Sequence, residues 1–224
     1  MATLASTCPG CASPHITILN IGRIAPFVAA RTGVDPTLGR TCICTSCTLR
    51  FSQARWTDQE AADLYADYRG PSYNAQRDQY EPGYTQANAH LNQPRTYLPD
   101  IESWIATKTT PRSVLDIGGN DGRNTPWADR ATVWEIGDPQ PSGHYDLVVL
   151  AHVLEHAADP RDLINTAQQL GDLIYIEVPL EPPGDHWHEH IQQFNEHSLS
   201  AMLDNQALIR HQATPLGPVL QALR

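Results

Sequence analysis

The chain has 224 residues, enough for one mid-sized α/β domain together with a small additional unit. Hydrophobic residues make up 41% of the chain and charged residues 18%, which is typical of a folded globular protein and excludes a disordered chain or a coiled coil. The 25 Asp and Glu residues outnumber the 15 Lys and Arg residues, and the formal charge of −10 argues against nucleic acid or anionic membrane as partners.

The sequence contains no recognisable membrane or export signal. No apolar run approaches the about 18 to 20 residues that a membrane-spanning helix needs. The first residues, MATLASTCPG, lack the positively charged start and apolar core of a secretory signal. We therefore expect a cytoplasmic protein that does not insert into membranes.

The cysteines are confined to the first 47 residues and form two C-x-x-C pairs with one cysteine left over: Cys8 with Cys11, Cys44 with Cys47, and Cys42 alone. Each C-x-x-C turn can place two thiolates at adjacent corners of a tetrahedron, which is the geometry of structural zinc. The spacing therefore predicts a zinc-binding ribbon over residues 1–52, with free thiols or a redox pair as the alternatives. Cys42 could replace Cys44 as a ligand.

A helical or Tyr-rich connector is predicted over residues 53–84. The Thr-Asp-Gln-Glu stretch at 57–60 is a capping box, and it predicts a helix through residue 68. Residues 70–98 are rich in Tyr, Gln, Asn and Pro with little apolar periodicity, which indicates a linker or a lid. Pro99 is well placed to begin a further helix that runs to about residue 108.

Two side chains of this connector are candidate contacts for a cofactor. Tyr73 and Arg77 are four residues apart, so a helix would place them on one face. A tyrosine ring can stack on adenine, and an arginine can pair with a carboxylate or phosphate. The alternative, which applies to most of the connector tyrosines, is that they attach the zinc unit to the main domain.

From residue 111 onwards the sequence alternates between apolar runs and helical patterns. The apolar runs predict strands of a parallel sheet that is covered on both faces, at 113–117, 131–136, 145–150 and 173–178. A helix over 160–170 makes a βαβ unit with the last two strands. The eight residues 137–144 are too few for a crossover helix, so the sheet is expected to be abbreviated there. The remaining predicted elements are a helix at 198–205 and strands near 208–211 and 219–223.

A glycine-rich turn follows the first of these strands. Gly118, Gly119 and Gly122 tolerate positive φ and lack bulk, and Asn120 is the next best residue for the left-handed region. Such a turn lets backbone N–H groups approach a ligand, and the polar residues after it can begin a helix. The alternative is a tight strand-to-helix connection without a ligand.

Three acidic residues accompany this turn. Asp116 ends the first strand, where it would attract a cationic amine of a ligand. Glu135 ends the second strand, at the position where an acid accepts the hydroxyl protons of a ribose. Asp138 is the competing candidate for the ribose.

At these residues the chain resembles a known family. Val-Leu-Asp-Ile-Gly-Gly-Asn-Asp-Gly at 114–122 resembles motif I of class I S-adenosylmethionine-dependent methyltransferases, and residues 145–160 resemble the fourth-strand motif of that superfamily. The Asn120 variant of the loop is similar to that of the sugar C-methyltransferases, which carry an N-terminal four-cysteine zinc module. The resemblance implies a Rossmann-like α/β domain over residues 85–224, with S-adenosylmethionine as cofactor and structural Zn²⁺. It also implies a short form without the C-terminal domain of those enzymes.

A histidine-rich segment at 185–197 follows the fourth strand, where open α/β sheets place their ligand crevice. Three interpretations of it are open. His186, His188 and His190 could bind a metal ion, because alternate residues of an extended chain share one face. They could be surface residues without a role, or one of them could act as a general base.

The same segment extends the resemblance. Trp-His-Glu-His-Ile-Gln-Gln-Phe at 187–194 is similar to the Tyr-His-Glu-His-Phe-x-x-Phe segment of the sugar C-methyltransferases. That similarity implies that His190 removes a proton from the sugar carbon, with Glu189 as its orienting or charge partner and His188 beside it. His152, just after the third strand, is expected to face the cofactor.

The sequence as a whole therefore predicts a methyltransferase with a sugar-like or nucleotide-linked sugar acceptor, which it methylates on carbon after histidine-assisted deprotonation. The first alternative is an O- or N-methyltransferase of a natural product or glycan. The second is a catalytically weak cofactor-binding subunit that docks on a partner through its zinc ribbon. A homodimer or a partner enzyme is the expected protein partner.

Overall fold

Three β-sheets lie in the part of the chain that this computed structural model describes, residues 2–182 and 189–224. The strands of the two smaller sheets are β1 (Thr3–Leu4), β2 (Ile16–Gly22), β3 (Gly39–Cys44), β4 (Arg50–Ser52), β5 (Ala54–Arg55) and β10 (Gln192–Gln193). The strands of the six-stranded sheet are β6 (Val114–Ile117), β7 (Ala131–Trp134), β8 (Tyr145–Ala151), β9 (Gly171–Pro179), β11 (Leu208–Thr214) and β12 (Gly217–Leu223).

The described α-helices are short, and none of them is long and apolar enough to cross a bilayer. They are α1 (Pro26–Thr32), α2 (Asp58–Tyr65), α3 (Pro71–Tyr80), α4 (Tyr84–Ala87), α5 (Leu98–Ala106), α6 (Pro160–Leu170) and α7 (Glu196–Met202). The predicted capping box is confirmed, because Thr57 and Glu60 each bind the other's backbone at the start of α2.

The larger sheet has the strand order β11-β12-β9-β8-β6-β7. Strands β6 to β9 run parallel, and β12 and β11 add an antiparallel hairpin at one edge. The residues of β6 are buried throughout, since both faces of the sheet are covered. This arrangement confirms the expected fold class, a mixed α/β domain with a mostly parallel, Rossmann-like sheet.

The expected helix after the glycine turn is wrong. Residues 118–130, all of which the structure describes, form turns and a single 3₁₀ helix at Ala128–Arg130. Positive φ at Asn120, Gly122 and Trp127, together with Pro126, interrupts the dihedral angles that an α-helix requires. The connection from β7 to β8 likewise contains no α-helix within the described residues 135–144, so the abbreviation expected there is confirmed.

Residues 70–98 are more regular than the sequence suggested. They contain α3, α4 and a 3₁₀ helix at Ala89–Asn92. Aromatic and cation–π contacts replace an aliphatic stripe here: the Tyr73 and Phe27 rings are 5.2 Å apart, and Arg77 lies 4.4 Å from the Phe27 ring centre. A search for apolar periodicity misses a helix that packs in this way.

The N-terminal unit is joined to the main domain by β10, a strand from the C-terminal half of the chain. β10 pairs with β4, which gives the order β10-β4-β3-β2. The buried Arg55 side chain donates hydrogen bonds to the carbonyl oxygens of Ala157 and Ala158 and to the side chain of Gln192. The cysteine region therefore packs directly against the segment that follows β8 and the segment that follows His190.

Candidate active site

The carboxyl edge of the parallel strands contains the candidate site. The chain passes from β6 to β7 on one side and then to β8 on the other, so the order of the strands reverses between β6 and β8. In open α/β sheets a ligand crevice forms at such a reversal, outside the carboxyl ends of the strands. The glycine turn follows β6 at this point, and His152 follows β8.

The backbone of the glycine turn has the expected left-handed residues. Gly118 and Gly122 have φ of 73°, and Asn120 has φ of 56°. A Cβ atom on Gly118 would lie 2.9 Å from the Val153 side chain, so a larger residue does not fit without movement. The turn is partly exposed, and the amides of Gly118, Asn120 and Gly122 donate hydrogen bonds within the protein, to the Trp134 carbonyl, the Glu135 carboxylate and the Gly119 carbonyl.

Two of the expected acidic residues hold this turn in place. Asp116 is buried beneath Gly119 and accepts a hydrogen bond from the Thr125 hydroxyl. Burial raises its pKa to about 6, although the hydrogen bond from Thr125 opposes the shift. The exposed Glu135 accepts a 2.6 Å hydrogen bond from the Asn120 amide. Asp138 contacts Glu135 through its backbone, and the choice between the two as a ribose ligand stays open.

A buried carboxylate organises the edge next to this turn. Glu177, near the end of β9, is fully buried, and its oxygens are within hydrogen-bonding distance of five side chains: Arg95, Tyr97, His152, Tyr175 and Gln221. Burial alone would raise the pKa of Glu177, but the neighbouring His152 and Arg95 and the Tyr175 hydroxyl lower it to about 2. The carboxylate therefore stays ionised and fixes the loops at both sides of β9.

His152 connects Glu177 to the loop after β8. Its Nε2 lies 3.0 Å from a Glu177 oxygen, and its backbone has φ of 59°. Burial alone would lower the pKa of His152, and the neighbouring carboxylates of Glu155 and Glu177 raise it instead. The sequence assigned His152 to the cofactor; its described contacts are with these two acids, and a contact with the cofactor stays a prediction.

The loop after β8 also links the glycine turn to His190. Val153 packs against Gly118, and the Glu155 carbonyl oxygen accepts a 2.9 Å hydrogen bond from the Ile191 amide. The rings of His156 and His190 are 4.6 Å apart. The glycine turn and His190 therefore lie on the same edge of the sheet, with this loop between them.

A described hydrogen-bonding partner of His190 is Glu181, and the expected role of Glu189 as the orienting or charge partner of His190 stays a prediction. The Nδ1 atom of His190 lies 2.7 Å from a Glu181 carboxylate oxygen. Glu189 forms a buried ion pair with Arg77, which also contacts the Tyr73 hydroxyl. Glu189 points to α3 because the Arg77 guanidinium is the nearest compensating charge.

Tyr73 and Arg77 are both buried, and the structure gives them protein partners. They join α3 to the histidine segment through Glu189, so their contact with a cofactor stays a prediction. His188, expected beside His190, lies outside the described residues together with His186 and Trp187.

The four thiols of the two C-x-x-C pairs come together as the spacing predicted. The Sγ atoms of Cys8, Cys11, Cys44 and Cys47 all lie within 4.8 Å of one another. This set of four suits a tetrahedral ion with thiolate ligands. Cys42 does not belong to the set: it is buried in the core on the same strand as Cys44, and the alternative that it replaces Cys44 is wrong.

Two surface cavities lie away from the glycine turn. The larger, of about 410 Å³, is lined by α5 and β11, with Trp104 and Arg210 among its walls. The smaller, of about 320 Å³, lies at the amino edge of the sheet near Asp146 and Asp172. Residues 183–188, which precede Glu189 and His190 in the chain, are outside the described residues.

Sequence reasoning missed Glu177 and Glu181. The sequence does contain an indication of the role of Glu177, because a single carboxylate within an apolar strand needs buried partners to remain charged. The sequence contains no such indication for Glu181, because nothing near it predicts a contact with His190, nine positions later.

Residues 88–210, more than half of the chain, match a protein family described as "Methyltransferase domain". No curated protein sequence matches the chain significantly.

Several solved structures are similar in part. Magnesium protoporphyrin IX methyltransferase of Synechocystis, with bound SAH, is 17% identical, with a TM-score of 0.40 and coverage of 71% of this chain and 90% of that chain. The 1,6-didemethyltoxoflavin-N1-methyltransferase of Burkholderia thailandensis is 14% identical, with a TM-score of 0.46 and coverage of 68% and 88%. The N-methyltransferase NodS of Bradyrhizobium japonicum is 13% identical, with a TM-score of 0.41 and coverage of 56% and 92%.

Replacing Glu177 by Gln should destabilise the protein by about 3 kcal/mol at pH 7, because Arg95 would lose its buried counter-ion. The pKa of Glu177 falls from 4.5 to about 2 on folding, so its stabilising contribution is present above about pH 4.5 and is lost as the pH falls towards 2. Urea unfolding at pH 7, 5 and 3 should therefore show a difference between wild type and variant that shrinks at low pH. The exposed Glu196→Gln variant is the control and should change stability by less than about 0.5 kcal/mol. A difference that does not depend on pH would contradict this role of Glu177.

Proposed function

The chain belongs to the methyltransferase-domain family, and from that premise we propose that it transfers a methyl group to a sugar-like acceptor, free or linked to a nucleotide. It is an S-adenosylmethionine-dependent methyltransferase of the kind that methylates O, N or C. The proposal of a sugar-like acceptor and a histidine base depends on one observation: the glycine turn and His190 lie on the same carboxyl edge of the parallel sheet. The similarity of residues 187–194 to the sugar C-methyltransferases supports carbon as the methylated atom.

The residues after β6 fit the cofactor. The methionine part would lie over Gly118 and the turn from Asn120 to Gly122, whose left-handed backbone and lack of bulk leave room for it. Glu135 would accept the ribose hydroxyl protons, and it is already fixed by the Asn120 amide. When bound, S-adenosylmethionine supplies an electrophilic methyl group on a positively charged sulfur.

His190 is the proposed general base. The Glu181 carboxylate holds its Nδ1, so the ring has a fixed orientation and is stabilised when it takes up a proton. Burial alone would lower the pKa of His190, and the Glu181 hydrogen bond with the nearby Glu155 and Glu189 raises it. His190 removes the proton from the acceptor carbon. The electron pair left on that carbon would then be available to accept the methyl group that S-adenosylmethionine supplies when bound.

Glu189 and Arg77 act at a distance from this step. Their buried ion pair holds the backbone next to His190 against α3, which makes both of them positioning residues. Catalysis of methyl transfer depends mainly on such positioning and on the exclusion of water, because little covalent assistance is needed.

The four-cysteine cluster is proposed to bind one structural Zn²⁺. Four thiolates fill a tetrahedral shell and leave no open position for catalysis. The ion would hold the loop of the first pair against β3 and so support the strands that pair with β10.

A Gly118→Arg variant should lose cofactor binding, since the new side chain would occupy the crevice and press on Val153. We expect the affinity for S-adenosylhomocysteine, measured by titration calorimetry, to fall at least roughly 100-fold, which is about 2.7 kcal/mol. Gly83→Arg is a matched control: it also replaces a glycine of positive φ, but a Cβ there meets nothing within 4 Å. Unchanged affinity in a folded Gly118→Arg protein would overturn the proposed cofactor site.

A His190→Ala variant should keep its affinity for S-adenosylhomocysteine within about twofold and lose roughly 10²- to 10³-fold in turnover. Turnover is followed by mass spectrometry as transfer of labelled methyl from S-adenosylmethionine to a panel of nucleotide-diphosphate hexoses, 4-keto forms included. His211→Ala, an exposed histidine paired with Glu196, is the control and should behave as wild type. Equal turnover in the His190→Ala variant would remove the catalytic role, and transfer only to acceptors that are not sugars would overturn the substrate class.

The zinc proposal is tested by comparing two cysteines of β3. Cys44→Ser should lose the tightly bound zinc and lower the melting temperature, whereas Cys42→Ser should retain about one zinc per chain. Both thiols are fully buried, so the pair separates a loss of metal from a loss of packing. Elemental analysis after treatment with a mild chelator gives the number of zinc ions per chain. Equal zinc content in the two variants would contradict the assignment.

A further inference from the structure

The carboxylate of Glu155 is buried, and its described charged neighbours are the imidazoles of His152 and His156. Its side chain is 1% exposed, and neither oxygen accepts a hydrogen bond from any described residue. The Nδ1 atom of His152 is 3.3 Å from Oε1 but outside hydrogen-bonding geometry. An ionised carboxylate in this position is costly unless a cation compensates it.

Two imidazoles face this carboxylate. The His156 and His190 rings are 4.6 Å apart and nearly perpendicular, and His156 Nε2 lies 4.0 Å from Glu155 Oε1. One ligand atom from each of the three residues lies within 4.8 Å of the other two. Bonds of about 2.0–2.1 Å to a tetrahedral ion place its ligand atoms roughly 3.4 Å apart. Side-chain movements of about 1 Å would therefore bring these three ligand atoms to the separations that a bound ion requires.

Both rings are held through Nδ1. His156 Nδ1 lies 2.8 Å from the Tyr65 hydroxyl oxygen and 3.1 Å from the Glu189 carbonyl oxygen, so the protein occupies this nitrogen, and Nε2 is the ring nitrogen 4.0 Å from Glu155. His190 Nδ1 is paired with Glu181. Histidines that bind metal ions are commonly oriented in this manner, by a carbonyl or carboxylate on one nitrogen while the other coordinates.

We infer that Glu155, His156 and His190 form a binding site for one divalent transition-metal ion of the Zn²⁺ type. The donor set of two imidazoles and one carboxylate leaves a fourth position for water, unlike the closed cysteine cluster. An ion can reach it from the surface, since the side chains of His156 and His190 are 17% and 24% exposed.

Ion binding and proton transfer use the same imidazole of His190. A consequence, which rests on the proposed function, is that the ion-loaded protein is the inactive form of the enzyme. The binding site itself does not depend on that role, so it is tested without cofactor or acceptor.

The experiment titrates the full-length, zinc-loaded protein with Co²⁺ and follows absorption and heat. Wild type should bind one further equivalent, with visible d–d bands but no additional thiolate-to-cobalt charge transfer, because the new site contains no sulfur. Glu155→Gln preserves the shape of the side chain and should lower the affinity for the further Co²⁺ ion at least roughly tenfold. Glu196→Gln, an exposed acid next to His211, should leave it unchanged.

His190→Ala is the second variant in case Glu155→Gln does not fold, and it should weaken the same step by a similar factor. Absence of the further equivalent in wild type, or its persistence in both variants, overturns the site. These outcomes are distinct from a failure of the proposed function, which would appear as normal methyl transfer by His190→Ala with the Co²⁺ step still lost.

Discussion

The ionised carboxylate of Glu177 is the constraint on which the carboxyl edge of the sheet depends. A charge buried in a sheet must be compensated, and Glu177 obtains its partners from separate parts of the chain: Arg95 and Tyr97 before β6, His152 after β8, and Gln221 on β12. Each partner fixes the backbone that carries it. The loop after β8 is thereby held between the glycine turn and His190, which is the arrangement that the proposed chemistry needs.

The cysteine region contributes to the same arrangement from the opposite side. The Ser52 amide donates a 2.8 Å hydrogen bond to the Ile191 carbonyl oxygen, one residue after His190, and β10 continues that pairing along β4. The four thiols lie at the far end of β3, next to β4 in the same sheet. A structural ion at the cysteines would thus stiffen the strand that positions the general base, so the N-terminal unit supports the active site as well as its own fold.

The elements that sequence reasoning placed correctly are those with a strong local signal. The four parallel strands are runs of apolar residues, the start of α2 is a capping box, and the turn at 118–122 needs glycine for its positive φ. Local patterns failed where long-range contacts decide the structure. Helix α3 is stabilised by aromatic and arginine contacts with α1, and α4 contacts α3 through the Tyr84 ring and Arg77; neither helix has an apolar stripe.

In the candidate site, too, local sequence predicted some residues, while long-range contacts determined the others. The cysteine set followed from spacing, and His190 followed from the resemblance of its segment to a known family. The partners of these residues did not follow, because a hydrogen bond such as Glu181 to His190, or an ion pair such as Arg77 to Glu189, joins positions whose proximity only the folded chain establishes. The burial of the Glu155 carboxylate beside imidazoles, without a hydrogen-bond donor among the described residues, is likewise a property of the tertiary structure.

The central claim is that the edge organised by Glu177 binds the methyl donor, and hydrogen–deuterium exchange with and without S-adenosylhomocysteine tests it most directly. The account predicts slower exchange at residues 116–122, 135–138 and 152–156 when the ligand is present. Protection around the cavity formed by Trp104 and Arg210, with no change at the glycine turn, would contradict it.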